Sequence, residues 1–176
     1  QKNIMNRIIS KQQFSEKVFK LEVEAPLIAK SRKAGHFVII RVDEKGERMP
    51  LTIAGADIEK GTITLVVQTI GLSSNKLCRL NVGDTIADIV GPLGQATHIE
   101  NFGTVVCAGG GVGVAPMLPI IQALKAAGNR VVSVLAGRSK DFIILDDIVR
   151  KSSDEVIIMT DDGSYGKQGL VTNGAE

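Results

Sequence analysis

The spacing of hydrophobic residues changes character near residue 100 of this 176-residue chain. Before that point, short runs of β-branched and aliphatic residues alternate with turn residues, and the runs 36–42, 62–67 and 85–90 are typical strands. Gly46 and Gly61 mark turns, and residues 73–80 are predicted to form one short helix. Short strands at this spacing predict a small antiparallel β-barrel of the Greek-key kind.

After residue 100, apolar runs alternate with helical patterns. Predicted strands at 104–108, 131–136 and 156–159 are separated by predicted helices at 114–127 and 141–150. This order is typical of a parallel α/β sheet with crossover helices, and three strands make half of a doubly wound sheet. We therefore expect a barrel domain at 1–98 and a Rossmann-like α/β domain at 99–176, with the remainder of that second domain missing beyond Glu176.

Composition narrows the classes of protein to consider. The net charge of +2 argues against a nucleic-acid partner, and no apolar run approaches the ~20 residues that span a bilayer. Cys78 and Cys107 form no C-x-x-C pair, so we expect two free thiols in a reducing compartment, the cytoplasm, rather than a disulfide. His36 and His98 show no metal-ligand spacing, and no metal site is predicted in this chain.

A glycine run follows the strand at 104–108 and precedes a predicted helix. In this context glycines let a pyrophosphate approach the backbone, and the helix N-terminus offers N–H groups to it. The alternative is a glycine-rich turn that binds nothing. The P-loop pattern G-x-x-x-x-G-K-[ST] is absent from the sequence, which argues against a nucleotide triphosphatase.

Three further motifs, taken with the glycine run, carry a family resemblance. They are Ala34–Phe37, Arg48–Ile53 and Gly91–Gly94 in the first half. By their order and spacing the chain resembles the ferredoxin–NADP reductase superfamily, and more closely its iron–sulfur flavoprotein branch. That branch includes the electron-transfer subunit of dihydroorotate dehydrogenase and the small subunit of NADH-dependent ferredoxin:NADP oxidoreductase, also called a sulfide dehydrogenase subunit. The resemblance covers nearly the whole chain.

The resemblance implies that the barrel binds FAD. The family holds the flavin with an Arg-x-Tyr-Ser/Thr segment, but here Arg48 stands one residue further from Thr52 and Leu51 replaces the aromatic residue. Arg48 could instead be a solvated charge, and Ser73 or Ser74 an ordinary helix cap. The predicted FAD-binding residues are Arg48, Pro50, Leu51, Thr52, Val67, Gln68, Gly71, Ser73 and Ser74.

For the second half, the resemblance implies NAD(P) binding at the ends of the parallel strands. Arg138 favours NADP on charge, but the branch carries this residue in NADH users as well, so the choice stays open. The alternatives are a surface cation at Arg138 and a polar turn at 160–166. The predicted residues are Gly109, Gly110, Gly111, Val112, Gly113, Pro116, Arg138, Asp161, Asp162 and Gly163.

The implied function is an NAD(P)H-dependent flavoprotein oxidoreductase. Electrons would pass from NAD(P)H through FAD to an iron–sulfur or ferredoxin-type acceptor, and the cofactors rather than side chains would supply the chemistry. A larger flavoprotein or iron–sulfur subunit, a dihydroorotate dehydrogenase subunit and ferredoxin are the expected partners. A [2Fe–2S] cluster needs four thiolates, so it is expected only if a further segment exists. The alternatives are the electron-transfer subunit of dihydroorotate dehydrogenase, a non-catalytic flavin- or nucleotide-binding redox sensor and an interaction subunit with decayed sites.

Overall fold

The computed structural model of this chain describes residues 6–175, and the polypeptide divides between Ala96 and Thr97 into two units. None of the helices in the described range is long and apolar enough to cross a membrane. Each unit has its own sheet, and the change of sequence pattern near residue 100 falls close to the division.

The first unit is an antiparallel barrel of six strands. Its strand order is β1-β2-β5-β4-β3-β6, and every neighbouring pair is antiparallel. The barrel closes where β1 meets the segment that leads into β6, because the Ile8 N–H donates to the Asp84 carbonyl at 2.8 Å and Gly83 donates back to Ile8 at 2.8 Å. The elements are β1 (Ile8–Ser15), β2 (Val18–Glu24), α1 (Pro26–Ser31), β3 (Phe37–Arg41), β4 (Arg48–Asp57), β5 (Thr62–Gln68), α2 (Leu72–Arg79) and β6 (Asp88–Leu93).

Aliphatic side chains fill the barrel, as the scarcity of aromatic residues requires. Alternate residues of a strand point to the same face, so Leu21 and Val23 on β2 lie inside together with Ile63, Leu65 and Val67 on β5. Burial of this apolar surface is the main favourable contribution to the stability of the unit.

The second unit is a parallel sheet with helices between its strands. Its order is β10-β9-β8-β7, and all three neighbouring pairs are parallel. The elements are β7 (Thr104–Gly110), α3 (Val114–Ala126), β8 (Arg130–Gly137), α4 (Asp146–Ser152), β9 (Glu155–Thr160), β10 (Lys167–Gln168) and α5 (Val171–Ala175). The predicted fold class, a barrel followed by an incomplete Rossmann-like sheet, is confirmed.

Two predicted elements were misplaced. The helix expected at 141–150 begins only at Asp146, because a 3₁₀ turn occupies Lys140–Phe142 and Leu145 takes a left-handed conformation with φ of 59°. Asp146 and Asp147 then lie in the first helical turn, where a negative charge interacts favourably with the helix dipole. The strand expected at 85–90 is shifted, since β6 spans Asp88–Leu93 and Thr85 makes only an isolated bridge with Arg7.

Candidate functional site

Strand β4 changes its hydrogen-bonding neighbours part way along its length. Residues 48–52 pair with β3, whereas pairing with β5 runs only from Ile53 to Asp57. On β5, residues 66–68 pair with β2 and, among the residues that the structure describes, with no strand on the other side. The two strands therefore separate beyond the Ile53–Leu65 pair and leave a gap, the β4/β5 cleft, walled by 48–52 and 66–68.

Along both walls of the β4/β5 cleft, the backbone groups that face the gap have no strand partner within the described part of the chain. Such groups need hydrogen bonds from water or from a ligand. Side chains on β4 alternate, so Arg48, Pro50 and Thr52 share one face while Met49 and Leu51 pack against the barrel core. Leu51 can therefore contact a ligand through its backbone, whereas Arg48, Pro50 and Thr52 can contact it through their side chains.

Arg48 reaches across β3 to a carboxylate. Its Nη1 lies 3.0 Å from Oδ2 of Asp88 on β6, and Arg41 is the β3 residue directly between them in register. Both side chains are partly exposed, at 52% for Arg48 and 34% for Asp88, so the pair contributes little stability. The guanidinium can therefore exchange this carboxylate for a phosphate at small cost.

The N-terminus of α2 stands directly after β5. Gly71 precedes the helix with an extended backbone, at φ of −150° and ψ of −178°, and a Cβ built there would meet no atom within 4 Å. The first helical turn contains no acidic residue. N–H groups of Leu72 and Ser73 have no carbonyl one turn earlier to bond, which makes this end suited to an anion.

The two predicted serines of this turn differ in what they offer. The hydroxyl of Ser74 accepts from the N–H groups of Ile70 at 3.0 Å and Gly71 at 2.9 Å, and it donates to the Gly71 carbonyl at 3.0 Å. Ser74 thus closes the turn, and the hydroxyl of Ser73 is the one left for a ligand. Val67 is 1% exposed and belongs to the core, so β5 offers its backbone and the exposed side chain of Gln68.

These observations test whether the first unit fits FAD. A diphosphate needs cations and N–H donors without acidic neighbours, and the helix turn at Gly71 together with Arg48 supplies them. An elongated planar ring system needs an open cleft with free backbone donors and acceptors, which the separation of β4 and β5 provides. The residues present fit the cofactor.

In the second unit, the glycine run forms the turn between β7 and α3. Gly111 has φ of 55°, a conformation that favours glycine, and Cβ atoms built at Gly111 and Gly113 would meet nothing within 4 Å. At Gly109, by contrast, a Cβ would lie 3.2 Å from Sδ of Met117, so this glycine lets helix and strand pack closely. Pro116 occupies the first turn of α3, where its missing N–H costs nothing.

The remaining predicted nucleotide residues lie at the same edge of the sheet, because the carboxyl ends of parallel strands meet there. Asp161 donates its N–H to the Gly137 carbonyl at 3.1 Å, and Asp162 donates to the Arg138 carbonyl at 3.3 Å, so the loops after β8 and β9 are joined. Arg138 is exposed and makes no side-chain hydrogen bond or ion pair with any residue of the described range. Gly163 has φ of 71°.

The first turn of α3 also lacks acidic residues, and its N-terminus opens on the space beside Gly111 and Gly113. Val112 is half-buried between these glycines. A dinucleotide phosphate requires this combination of close backbone approach and helix N–H groups, so the second unit fits a nicotinamide dinucleotide.

Some residues at these places were not found from the sequence. Asp88 became a neighbour of Arg48 only through strand register, which no local pattern reveals.

In the second unit, the hydroxyl of Tyr165 donates to Asp146 at 2.7 Å and accepts from Arg150 at 3.1 Å, and this ties the 160–166 loop to α4. The hydrogen bond to Tyr165 raises the pKa of Arg150, and hydrogen bonds from Ser164 lower the pKa of Asp162. Tyr165 is the single tyrosine of the chain, and this rarity is the feature by which the sequence could have marked it as a site residue.

Comparisons with known proteins agree with this geometry. Residues 6–98 match the family described as oxidoreductase FAD-binding domain. The chain is 45% identical over 169 residues to the dihydroorotate dehydrogenase B (NAD(+)) electron transfer subunit homolog of Thermotoga maritima, covering 96% of this chain and 60% of that protein. It is 32% identical to the corresponding electron transfer subunit of Streptococcus thermophilus, covering 94% of this chain and 65% of that protein. The chain thus spans about 60% of the length of these relatives.

Solved structures show the same relationship. A chain of the NADH-dependent reduced ferredoxin–NADP oxidoreductase, studied for flavin-based electron bifurcation, superposes with a TM-score of 0.93 at 42% identity, covering 97% of this chain and 62% of that one. Phthalate dioxygenase reductase shares the fold at 20% identity, with a TM-score of 0.74, covering 89% of this chain and 51% of that one. The predicted resemblance is confirmed, and the chain belongs to the oxidoreductase FAD-binding domain family.

Proposed function

We propose that this chain is the FAD- and NAD(P)H-binding part of an electron-transfer subunit, which passes electrons from NAD(P)H to an iron–sulfur or ferredoxin-type acceptor. The observation that carries the proposal is the β4/β5 cleft, which ends at an acid-free helix N-terminus inside the region that matches the FAD-binding family. When bound, FAD supplies the exchange between two-electron hydride chemistry and single-electron transfer.

In the first unit, each residue has a binding task. The backbone of 49–52 supplies hydrogen bonds to the ring system, and the hydroxyl of Thr52 stands on the face that Arg48 shares. Arg48 exchanges Asp88 for the diphosphate, while the N–H groups after Gly71 and the hydroxyl of Ser73 bind its oxygens. No side-chain acid, base or nucleophile is required of the protein.

In the second unit, the turn Gly109–Gly113 and the N-terminus of α3 hold the dinucleotide phosphates. Arg138, at the end of β8, meets the adenosine ribose or its 2′-phosphate, and Asp161, Asp162 and Gly163 line the nicotinamide side. The exposed Arg138 serves either NADH or NADPH, and a comparison of their affinities decides between them.

Two acceptors follow from the relatives' names. The electron transfer subunits of dihydroorotate dehydrogenase B favour a dihydroorotate dehydrogenase subunit as partner, whereas the structural relative favours ferredoxin and a larger flavoprotein subunit. Cys78 and Cys107 are the only cysteines of the chain, too few for a [2Fe–2S] cluster, so such a centre would need ligands from elsewhere. Both thiols are free, which supports a role in the cytoplasm.

The test is anaerobic reduction of the purified protein after incubation with FAD. We expect stoichiometric yellow flavin, bleaching of its visible absorbance by NADH or NADPH, and recovery of colour with an acceptor. Ferredoxin and the dihydroorotate dehydrogenase subunit, added separately, distinguish the two partners. A protein that binds FAD but is not bleached by either nucleotide would be a sensor module, and one that binds neither would refute the proposal.

A further inference from the structure

Lys11 on β1 holds the C-terminal end of α2. Its Nζ donates to the carbonyl of Cys78 at 2.6 Å and to the carbonyl of Leu80 at 3.0 Å. These carbonyls lie in the last turn and at the cap of α2, where no later N–H of the helix can reach them. An ammonium group at this end also interacts favourably with the helix dipole.

The ammonium group of Lys11 bonds to carbonyls of this helix rather than to a carboxylate. Three lysines of the barrel, Lys20, Lys60 and Lys76, lie within 4 Å of a carboxylate, whereas Lys11 is partly buried and forms no ion pair with any residue of the described range. Its other close neighbour is the ring of Phe19, whose centroid is 5.2 Å from Nζ. A partly buried ammonium is retained here without a counter-charge, and the α2 carbonyls are what it binds.

Helix α2 needs an anchor of this kind. It has eight residues, about two turns, and a helix this short is marginal without tertiary contacts. Its C-terminal half is fixed, because Leu77 is 0% and Cys78 5% exposed in the barrel core, whereas Leu72 at the other end is 75% exposed. At the N-terminal end, Ser74 is 5% exposed and closes the turn at Gly71, so the direction of the first-turn N–H groups depends on how both ends of the helix are held.

We infer that Lys11 is a positioning residue for the phosphate-binding end of α2. By fixing the C-terminal carbonyls, it aims the N–H groups after Gly71 at the FAD diphosphate without touching the cofactor. The inference rests on the proposed function, and it adds a residue on a distant strand to the binding machinery. Lys11 itself lies at the opposite end of the helix from the phosphate.

The test compares ligand affinities of the Lys11→Met apoprotein with those of the unchanged protein and of Lys60→Met. Lys60 is an exposed lysine in the turn between β4 and β5, at the other end of these strands from the β4/β5 cleft, so this control makes the same change of charge away from the proposed site. We expect Lys11→Met to bind FAD about five- to tenfold more weakly, as loss of a cation at a partly buried helix terminus implies. Riboflavin, which lacks phosphate, should bind equally well, and Lys11→Arg should restore most of the FAD affinity.

A purely structural role gives a different result. Lys11→Met would then lower the melting temperature but leave the FAD affinity of the folded protein unchanged, and this outcome overturns the inference. Equal weakening of riboflavin would overturn it as well. If the unchanged protein binds FAD normally, neither result affects the proposed function, which fails only if that protein binds no FAD.

A second measurement needs no variant and covers the case in which Lys11→Met does not fold. Cys78 is a buried thiol in the last turn of α2, so its alkylation rate, followed by peptide mass spectrometry, reports opening of that end. If the two ends of the helix are coupled, saturating FAD slows alkylation of Cys78 several-fold relative to saturating riboflavin. An alkylation rate that is the same with the two ligands would contradict the coupling.

Discussion

The guanidinium of Arg48 lies 3.0 Å from the carboxylate of Asp88, with strand β3 between the two residues that carry them. Arg48 is thus already oriented along the outer face of the barrel before any phosphate arrives. Because the pair is partly exposed, it orients the side chain without binding it tightly.

Replacing Asp88 with Asn should strengthen diphosphate binding. The substitution removes a carboxylate that competes for Arg48, so we expect the FAD affinity to rise about two- to fivefold at low salt and less in 0.5 M salt (roughly a 4 Å screening length). Asp57→Asn, which disturbs the exposed pair between Asp57 at the end of β4 and Lys60 in the turn that follows, is the matched control. Weaker FAD binding in Asp88→Asn would contradict an exchange of partners at Arg48.

Gly111 and Gly113 should respond differently to alanine. Gly113 has φ of −60° and open space for a Cβ, so Gly113→Ala should change the free energy of unfolding by less than about 0.5 kcal/mol. The added methyl group obstructs the approach of a phosphate, and NAD(P)H affinity should fall by about tenfold or more. Gly111→Ala places alanine at φ of 55° and should also destabilise the fold by roughly 1 kcal/mol.

Isothermal titration with NADH and NADPH, together with urea unfolding, separates these effects. If Gly113→Ala bound both nucleotides as tightly as the unchanged protein, the turn would not be their phosphate site.

Asn129 should be the most sensitive polar residue of the second unit. It is 1% exposed, and its amide accepts from Phe102 and Gly103 at 2.7 and 3.1 Å and donates to Glu100 and Leu124 at 2.8 and 2.9 Å. Asn129→Ala leaves the Phe102 N–H and the Glu100 carbonyl without this partner and removes one of two bonds at Gly103 and Leu124, so it should lower the free energy of unfolding by roughly 2 kcal/mol.

The exposed neighbour Asn101 provides the control, since it makes one hydrogen bond to Gly103 and Asn101→Ala should cost less than about 1 kcal/mol. Urea unfolding of the two variants, monitored by circular dichroism, measures both. Equal losses would show that the buried network contributes no more than a surface turn.

Stability should decrease in alkaline solution because of Cys78. Burial raises the pKa of its thiol to about 11, above the ordinary value of 9.0, while the nearby Lys11 ammonium lowers this pKa in part. The unfolded chain therefore ionises first, and the contribution is complete below pH 9 and is lost as the pH rises towards 11.

Lysines and the tyrosine also titrate in this range, so the informative quantity is the difference between the unchanged protein and Cys78→Ala. Urea midpoints of the two proteins should converge between pH 8 and 10.5 (a window about the ordinary thiol pKa). Parallel pH profiles would show that the thiol is not buried in the folded state.

Much of the fold followed from local patterns. Aliphatic runs and turn glycines predicted strands in the first half, and the alternation after residue 100 predicted the parallel sheet, since both depend on side-chain period and backbone freedom within a few residues. The helix at 141–150 failed because Leu145 takes a left-handed conformation, which a leucine side chain gives no reason to expect.

The site was predictable where a short motif carries its own geometry. The glycine turn before α3 is such a motif, and its residues lie where the pattern placed them, although their ligand stays a prediction. Contacts that depend on strand register were not predictable, and the Arg48–Asp88 pair and the Lys11 contacts to α2 are of this kind. They join residues separated by 40 and 67 positions in the sequence.

Because β4 pairs with β3 up to Thr52 and with β5 from Ile53, its register against β3 also decides which of its side chains face the barrel core. A slip of β4 by one position against β3 would turn Arg48, Pro50 and Thr52 inward and Met49 and Leu51 outward, because neighbouring side chains point to opposite faces. An insertion or deletion in the 42–47 turn is therefore harmful when it shifts this register, and harmless to the two faces of β4 when the turn absorbs it.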